Sequence, residues 1–287
     1  MTTTMVASAR SVTELFAARL AMAGCESAAQ EAAQLVSREL GLPRLEAYLH
    51  DGVLDQHALA RLEAQVARRC AGEPLQYILG EAPFFGATFA VGPGVFIPRP
   101  ETETIVSVFL ERLRRLGQKP LRLADLGTGS GCIAVTLARE LPACLVVAVE
   151  LSWNTLFVAR RNVLAHGMAA RVACVQGDWL QPLRGVVDGI ISNPPYVPSR
   201  QVDGLPQDVR HEPRQSLDGG PDGLDPARRL IRHASERLTP HGVLVLECGE
   251  DHAGALLAEI QRQLWIETVE MIFDLTGRPR GVAAIRR

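Results

Sequence analysis

The spacing of apolar residues changes twice along this chain, and each change marks a change of architecture. From residue 11 to about 72 the apolar positions recur at helical intervals: Leu15, Ala18 and Leu20, then Ala32, Leu35 and Val36. Ser11-Val12-Thr13-Glu14 and Ser27-Ala28-Ala29-Gln30 read as capping boxes. Gly41 stops the second helix and Pro43 opens a short third. Asp55 caps a fourth, whose stripe is Leu59, Leu62 and Val66 and whose end is Gly72. His50 and His57 are expected on the surface of this region. From Gly80 to Pro98, Phe84, Phe85, Phe89, Val91, Val95, Phe96 and Ile97 alternate with glycines, a β-hairpin pattern with its turn at Gly92-Pro93-Gly94. Pro100 then starts a helix whose first turn holds Glu101 and Glu103, where the helix dipole favours carboxylates.

From residue 121 onward short apolar runs alternate with helical segments, the pattern of a parallel sheet covered on both faces. Strands read at 121–126, 145–149, 172–176, 186–192 and 242–247, with helices at 131–140, 154–166 and 226–237. A helix at 253–264 precedes strands at 269–275 and 281–285, with Gly277 and Pro279 between them, which predicts a terminal antiparallel pair. The predicted class is therefore α/β: a Rossmann-like, seven-stranded, mostly parallel sheet. It carries a helical N-terminal domain over 1–79, a connecting hairpin over 80–98 and an α/β domain over 99–287.

The candidate chemistry lies at the carboxyl ends of these strands. The strand at 186–192 ends in Asn193-Pro194-Pro195-Tyr196. Two prolines donate no backbone hydrogen bonds and fix φ, and they push Asn193 to an extended conformation. The result is a stiff ledge of acceptors, the side-chain oxygen of Asn193 and the carbonyl of Pro194, beside an aromatic face, Tyr196. It suits a planar –NH2 group, whose lone pair is aimed by holding both of its protons. The first strand of the sheet ends in Asp125-Leu126-Gly127-Thr128-Gly129-Ser130-Gly131. A dinucleotide fingerprint needs its third glycine one place later. G-x-G-x-G preceded by an acid suits S-adenosylmethionine, with Gly127, Thr128, Gly129, Ser130 and Gly131 as its loop. Glu150 ends the second strand, where a carboxylate accepts from both hydroxyls of a ribose. Asp178 and Trp179 follow the third, where an acid accepts from an adenine amino group and an indole packs on the ring. Each acid alone is an ordinary cap or loop residue. Four hits on one edge, Asn193 included, fit the ligand edge of an open α/β sheet.

Composition narrows the partner. The 287 residues carry a net charge of −2 and a pI near 6.4, without the basic surplus that phosphate binding requires. Lys119 is the only lysine. Cys25, Cys70, Cys132, Cys144, Cys174 and Cys248 show no metal-ligand spacing and read as free thiols in a reducing compartment. The first ten residues lack the apolar core of a signal peptide, and no apolar run approaches the ~18 residues of a membrane span. A cytoplasmic protein without membrane or direct nucleic-acid contact is expected.

Several segments together resemble the HemK/PrmC family of peptide chain release factor glutamine methyltransferases. They are Gly72-Glu73-Pro74-Leu75-Gln76-Tyr77-Ile78-Leu79-Gly80, Val95-Phe96-Ile97-Pro98-Arg99-Pro100-Glu101-Thr102-Glu103, the glycine loop, Ser192-Asn193-Pro194-Pro195-Tyr196, and Leu217-Asp218-Gly219-Gly220-Pro221-Asp222-Gly223-Leu224. The resemblance implies an S-adenosylmethionine-dependent methyltransferase, with S-adenosylhomocysteine as product and no metal. It implies methyl transfer to the side-chain amide nitrogen of the glutamine in the Gly-Gly-Gln motif of release factors. On that pattern Asn193 and Pro194 are catalytic, Asn193, Pro194, Pro195 and Tyr196 hold the glutamine, and the glycine loop, Glu150, Asp178, Trp179 and Asn193 hold the cofactor. Arg99 and Pro100 would close over its methionine end, and the helical domain would grip the protein substrate, with the enzyme a monomer. Two positions depart from the family: His211 stands where an aromatic residue is usual before Glu212-Pro213, and Trp153 where proline is common. His211 is read as structural. The alternatives are methylation of a ribosomal-protein glutamine, adenine methylation on nucleic acid, and a silent cofactor-binding adaptor.

Overall fold

The β-branched and aliphatic runs pair into one seven-stranded sheet, and the helical-period segments outside it form their own unit. The computed structural model describes residues 7–42, 53–117 and 120–287. Two compact units divide the chain: residues 1–80 with 207–211, and residues 81–206 with 212–287.

In the helical unit, helices Ala9–Met22, Ala28–Leu40 and Gln56–Cys70 pack around Phe16, Leu20, Leu35, Val36, Leu62 and Val66. The first helix starts before the capping box predicted at Ser11. Ser8 is its cap, accepting from the Ser11 backbone N–H, so Ser11 lies inside the helix. Ser27 makes no side-chain cap. Gly41 ends the second helix in the left-handed conformation, and Asp55 Oδ1 accepts from Ala58 N at 2.7 Å, as the sequence implies. The helix opened by Pro43, and His50, lie outside the described residues; His57 is exposed. A two-stranded ribbon, β1 (Ala7–Ser8) with β2 (Val53–Leu54), completes the unit's local pairing. The segment 207–211 joins it through Gln207, which donates to the Ala71 carbonyl, and Asp208, which pairs with Arg69.

The second unit opens with the hairpin β3 (Glu81–Phe84) and β4 (Ala87–Ala90). Its turn is Phe85-Gly86, both with positive φ, and not the Gly92-Pro93-Gly94 expected from the sequence. A two-residue turn with left-handed φ at both positions matches the twist of a hairpin. The helix Pro100–Arg114 follows, with Pro100 in its first turn. The sheet then forms from β5 (Arg122–Leu126), β6 (Leu145–Glu150), β7 (Val172–Gln176), β8 (Val187–Ser192), β9 (Leu238–Glu247), β10 (Ile266–Phe273) and β11 (Pro279–Arg286). Their order is β10-β11-β9-β8-β5-β6-β7. The first five strands run parallel, and β11 inserts antiparallel between β9 and β10. β9 starts at Leu238 rather than 242, and its regular pairing resumes at Val243 after a register shift. Successive residues serve opposite faces: Leu123, Ile191 and Val245 enter one core, Ala124, Ile190 and Leu244 the other.

Candidate active site

The strand order reverses at β5. From there β6 and β7 lie to one side and β8 and β9 to the other, so the carboxyl edge of β5 and β8 is a topological switch point. Leu126 and Ser192 are register partners, and Ser192 Oγ donates to the Leu126 carbonyl at 2.6 Å. Gly127 and Asn193 therefore leave the sheet side by side. The glycine loop and the Asn-Pro-Pro-Tyr ledge, 66 residues apart in sequence at their anchors, become neighbours through this one pairing.

The loop is held from several directions. Gly127 N and Thr128 N both donate to the Val149 carbonyl at 2.9 Å. Asp125 is wholly buried, and its Oδ2 accepts from Thr128 Oγ1 and from Ala134 N. Its Oδ1 is buried with no partner among the described residues, and burial pushes the carboxyl up to about 7. Gly127 has φ +72, and a Cβ there would sit 3.3 Å from the Trp179 ring, so the indole lies directly on the loop backbone. Trp179 itself has φ +52, a conformation uncommon outside glycine. Asn162, which the sequence did not single out, ties the loop to the hairpin: its Nδ2 donates to the Ser130 and Ala90 carbonyls while its Oδ1 accepts from Ala90 N.

The predicted acids stand at the ends of β6 and β7. Glu150 Oε2 accepts from Gly129 N and Oε1 from Ser152 N, both at 3.0 Å. Burial raises this carboxyl, and the backbone donors partly offset the rise. Asp178 Oδ2 pairs with Arg229 at 2.5 Å, a contact the sequence did not suggest.

On the other side of the switch point, Asn193 Nδ2 donates to Thr102 Oγ1 at 3.1 Å, leaving Oδ1 as the acceptor. The segment 217–223 braces the ledge from behind. Val197 N donates to the Leu217 carbonyl, Gly219 N to the Val197 carbonyl and Ser199 N to the Gly220 carbonyl. A Cβ on Gly219 would lie 2.8 Å from the Pro195 carbonyl and from Tyr196 Cα, so only glycine permits this approach. Tyr196 is half-buried, and burial followed by the neighbouring Glu247 raises its phenol well above the usual value. Arg99, expected over the cofactor, stacks on Phe96 and pairs with buried Glu212, whose Oε2 also accepts from Ile97 N at 2.8 Å. His211 is exposed and belongs to the segment grouped with the helical unit; Trp153 is exposed at the start of the helix Trp153–Ala165.

A sheet of this order, closed by an antiparallel last strand and carrying a glycine loop at its switch point, places the protein in the class of S-adenosylmethionine-dependent methyltransferase folds. The "Methyltransferase small domain" model matches residues 86–220 and the "PrmC N-terminal domain" model residues 12–80. The release factor glutamine methyltransferase of Moorella thermoacetica is 44% identical over 273 residues, covering 94% of this chain and 95% of its own. That of Geobacter sulfurreducens is 45% identical over 246 residues, 85% of this chain and 84% of its own. The chain belongs to the release factor glutamine methyltransferase family. Among solved structures, the N-terminal domain of human METTL16 in complex with SAH superposes with a TM-score of 0.52 at 18% identity, covering 82% of this chain and 85% of that one, a likeness of fold.

Proposed function

We propose that this protein methylates the side-chain amide nitrogen of the glutamine in the Gly-Gly-Gln motif of peptide chain release factors, with S-adenosylmethionine as donor. The observation that carries the reading is the orientation of Asn193. Its amide protons face Thr102, which leaves its oxygen and the Pro194 carbonyl as fixed acceptors beside the glycine loop.

The residues present suit the donor. Gly127, Thr128, Gly129, Ser130 and Gly131 would lie along it, with Trp179 against the loop, and Glu150 and the free Oδ1 of Asp178 would accept from its hydroxyl and amino groups. Bound there, S-adenosylmethionine supplies an electrophilic methyl group on a sulfonium. The chain's own contribution is positioning. An amide nitrogen is a poor nucleophile because its lone pair is delocalised. Asn193 and Pro194 accept its two N–H bonds and so fix where the nitrogen points, while Pro195 and Tyr196 keep the ledge rigid and give the glutamine side chain an aromatic wall. Orientation of this kind contributes up to roughly 7–11 kcal/mol in well-aligned systems. The same acceptors stabilise positive charge that grows on nitrogen. The nitrogen gains a methyl group and its proton leaves to solvent, so no general base and no metal is required.

The helical unit is read as the grip on the protein substrate, with one copy of the chain sufficient. The reaction then belongs in the cytoplasm, on protein rather than nucleic acid, in keeping with the net charge of −2. No helix among the described residues is long and apolar enough to cross a membrane. Asn193→Ala tests the proposal. It should keep cofactor binding largely intact, through the glycine loop and Glu150, and lose methyl transfer to a release factor; normal turnover would sink the assignment.

A further inference from the structure

β11 runs antiparallel to β9, so its first residues stand at the same edge of the sheet as the ledge. Ser192 is the register partner of Leu246, Glu247 that of Gly281, and Cys248 N donates to the Arg280 carbonyl at 2.9 Å. Along this edge Arg280 therefore stands two strand spacings, about 10 Å, from Asn193. The Tyr196 ring reaches the end of β9 in between: a Cβ built on Gly249, the residue after Cys248, would lie 3.4 Å from it. We propose that Arg280, aimed by Asp274, is a substrate-binding residue. Its free NH2 groups grip an oxygen of the release-factor segment next to the target glutamine, a backbone carbonyl or a side-chain carboxylate.

Asp274 divides its two oxygens between two tasks. Oδ1 closes the turn between β10 and β11, accepting from Thr276 N at 2.8 Å, Thr276 Oγ1 at 2.6 Å and Arg278 N at 3.0 Å. Asp274 N adds a bond to the Arg278 carbonyl, so the turn is closed without Arg280. Oδ2 accepts from Arg280 Nε at 2.7 Å. A guanidinium carries five N–H donors in a planar fork. Held through Nε it is fixed in direction, and the four donors on Nη1 and Nη2 remain. Among the described residues these make no hydrogen bond; Glu101 Oε1 lies 3.7 Å from Nη2, too long for one. Glu101 precedes Thr102, which accepts from Asn193 Nδ2, so the free end of the guanidinium lies on the ledge side. The side chain is 21% exposed, which leaves these donors partly withdrawn from water and open to a ligand.

The polarity of the two groups is complementary. The ledge offers acceptors and binds N–H bonds; Arg280 offers donors and binds oxygens. A Gly-Gly-Gln segment has no side chain but that of its glutamine, so its other handles are backbone groups. At about 10 Å, Arg280 is too far away to touch the amide that Asn193 holds. It is near enough for an oxygen one or two residues along the segment, at about 3.8 Å per residue.

The proposal rests on the release-factor reading above, and the experiment separates the two. Full-length Arg280→Gln, Asp274→Asn and the double variant are compared with the parent for kcat and KM on a release factor and for affinity to S-adenosylhomocysteine. Arg280→Gln should raise KM by ~10–100-fold, the worth of hydrogen bonds to a charged group, with kcat within about threefold and cofactor affinity within about twofold. Asp274→Asn keeps an oxygen for the turn and sets an NH2 against Arg280 Nε, so it should raise KM by ~3–10-fold with the fold intact. The double variant should match Arg280→Gln, because Asp274 Oδ2 acts only through the guanidinium. Salt identifies the oxygen. If the ratio of KM in Arg280→Gln to that of the parent shrinks between about 50 and 500 mM salt, the oxygen is a carboxylate; a constant ratio marks a carbonyl. Asp274→Asn carries the test alone if Arg280→Gln does not fold. Parental KM in either single variant overturns the proposal. So does a kcat loss at unchanged KM, which marks a structural brace, or an equal loss of cofactor affinity, which marks a cofactor contact. A parent that leaves the release factor unmethylated overturns the reading beneath, and the proposal with it.

Discussion

Gly219→Ala isolates the brace behind the ledge. The backbone there needs no left-handed φ, so the substitution is a steric change alone. The added Cβ would stand 2.8 Å from the Gly223 carbonyl oxygen, the Pro195 carbonyl oxygen and Tyr196 Cα, about 0.6 Å inside the 3.4 Å at which ordinary contact begins. All three neighbours are backbone, so no side chain can swing away. Either the brace or the ledge must move by that amount. Overpacking of this kind costs about 1–3 kcal/mol of stability. Since a misplacement near 1 Å costs about a hundredfold in rate, a shift of half that size should lower kcat at least tenfold, by ~10–50-fold. Cofactor affinity should stay within about twofold, because the glycine loop is held by β5, β6 and the helix Cys132–Glu140, away from the brace. The assay is steady-state methylation of a release factor with urea unfolding as control. A folded Gly219→Ala variant with parental kcat would refute the claim that close backbone packing keeps the ledge in place.

Three further outcomes follow from the same geometry. Glu212→Ala should cost about 3 kcal/mol in urea unfolding, because it leaves the buried Ile97 N–H unsatisfied and Arg99 without its partner; a loss below about 0.5 kcal/mol contradicts this. Glu150→Ala should weaken S-adenosylhomocysteine binding by about a hundredfold in calorimetry, the worth of two hydrogen bonds to a carboxylate, while unchanged affinity would remove Glu150 from the site. Burial raises the folded-state carboxyls of Asp125 to about 7 and Glu247 to about 8, above their unfolded values. Their contribution to stability is therefore complete below pH ~4 and is lost as pH rises through 7–8, at up to about 1.4 kcal/mol per pH unit for each group. Urea midpoints should fall between pH 5 and pH 8.5, and less steeply in Glu247→Gln; equal slopes would contradict the assignment to Glu247.

The parallel sheet was legible because its strands are short apolar runs separated by helices. β7 lies at the predicted residues, and β8 differs by one. The terminal antiparallel pair was legible from Gly277 and Pro279. The hairpin turn was misplaced because a left-handed Phe85 leaves no mark in composition, whereas Gly92-Pro93-Gly94 looks like a turn. The first helix was started too late because the spacing from Ser11 to Glu14 imitates a cap, while Ser8, three residues earlier, makes the real one. At the candidate site, the glycine loop, Glu150, Asp178 and Asn193 were legible as residues at strand ends, and the groups that hold them, such as Asn162 and Thr102, were not. Thr102 lies 91 residues from Asn193, and the Pro100–Arg114 helix carries it to the Asn193 amide. Arg99 has a partner that the sequence did not suggest, the buried carboxylate of Glu212.

The central claim, that the ledge holds a glutamine amide for methylation, is tested most directly by mass spectrometry of a release factor incubated with this protein and S-adenosylmethionine. One added methyl group on the glutamine of the Gly-Gly-Gln peptide, absent with Asn193→Ala, is the expected result. An unmodified glutamine, with methyl groups appearing instead on nucleic acid or on another residue, would contradict it.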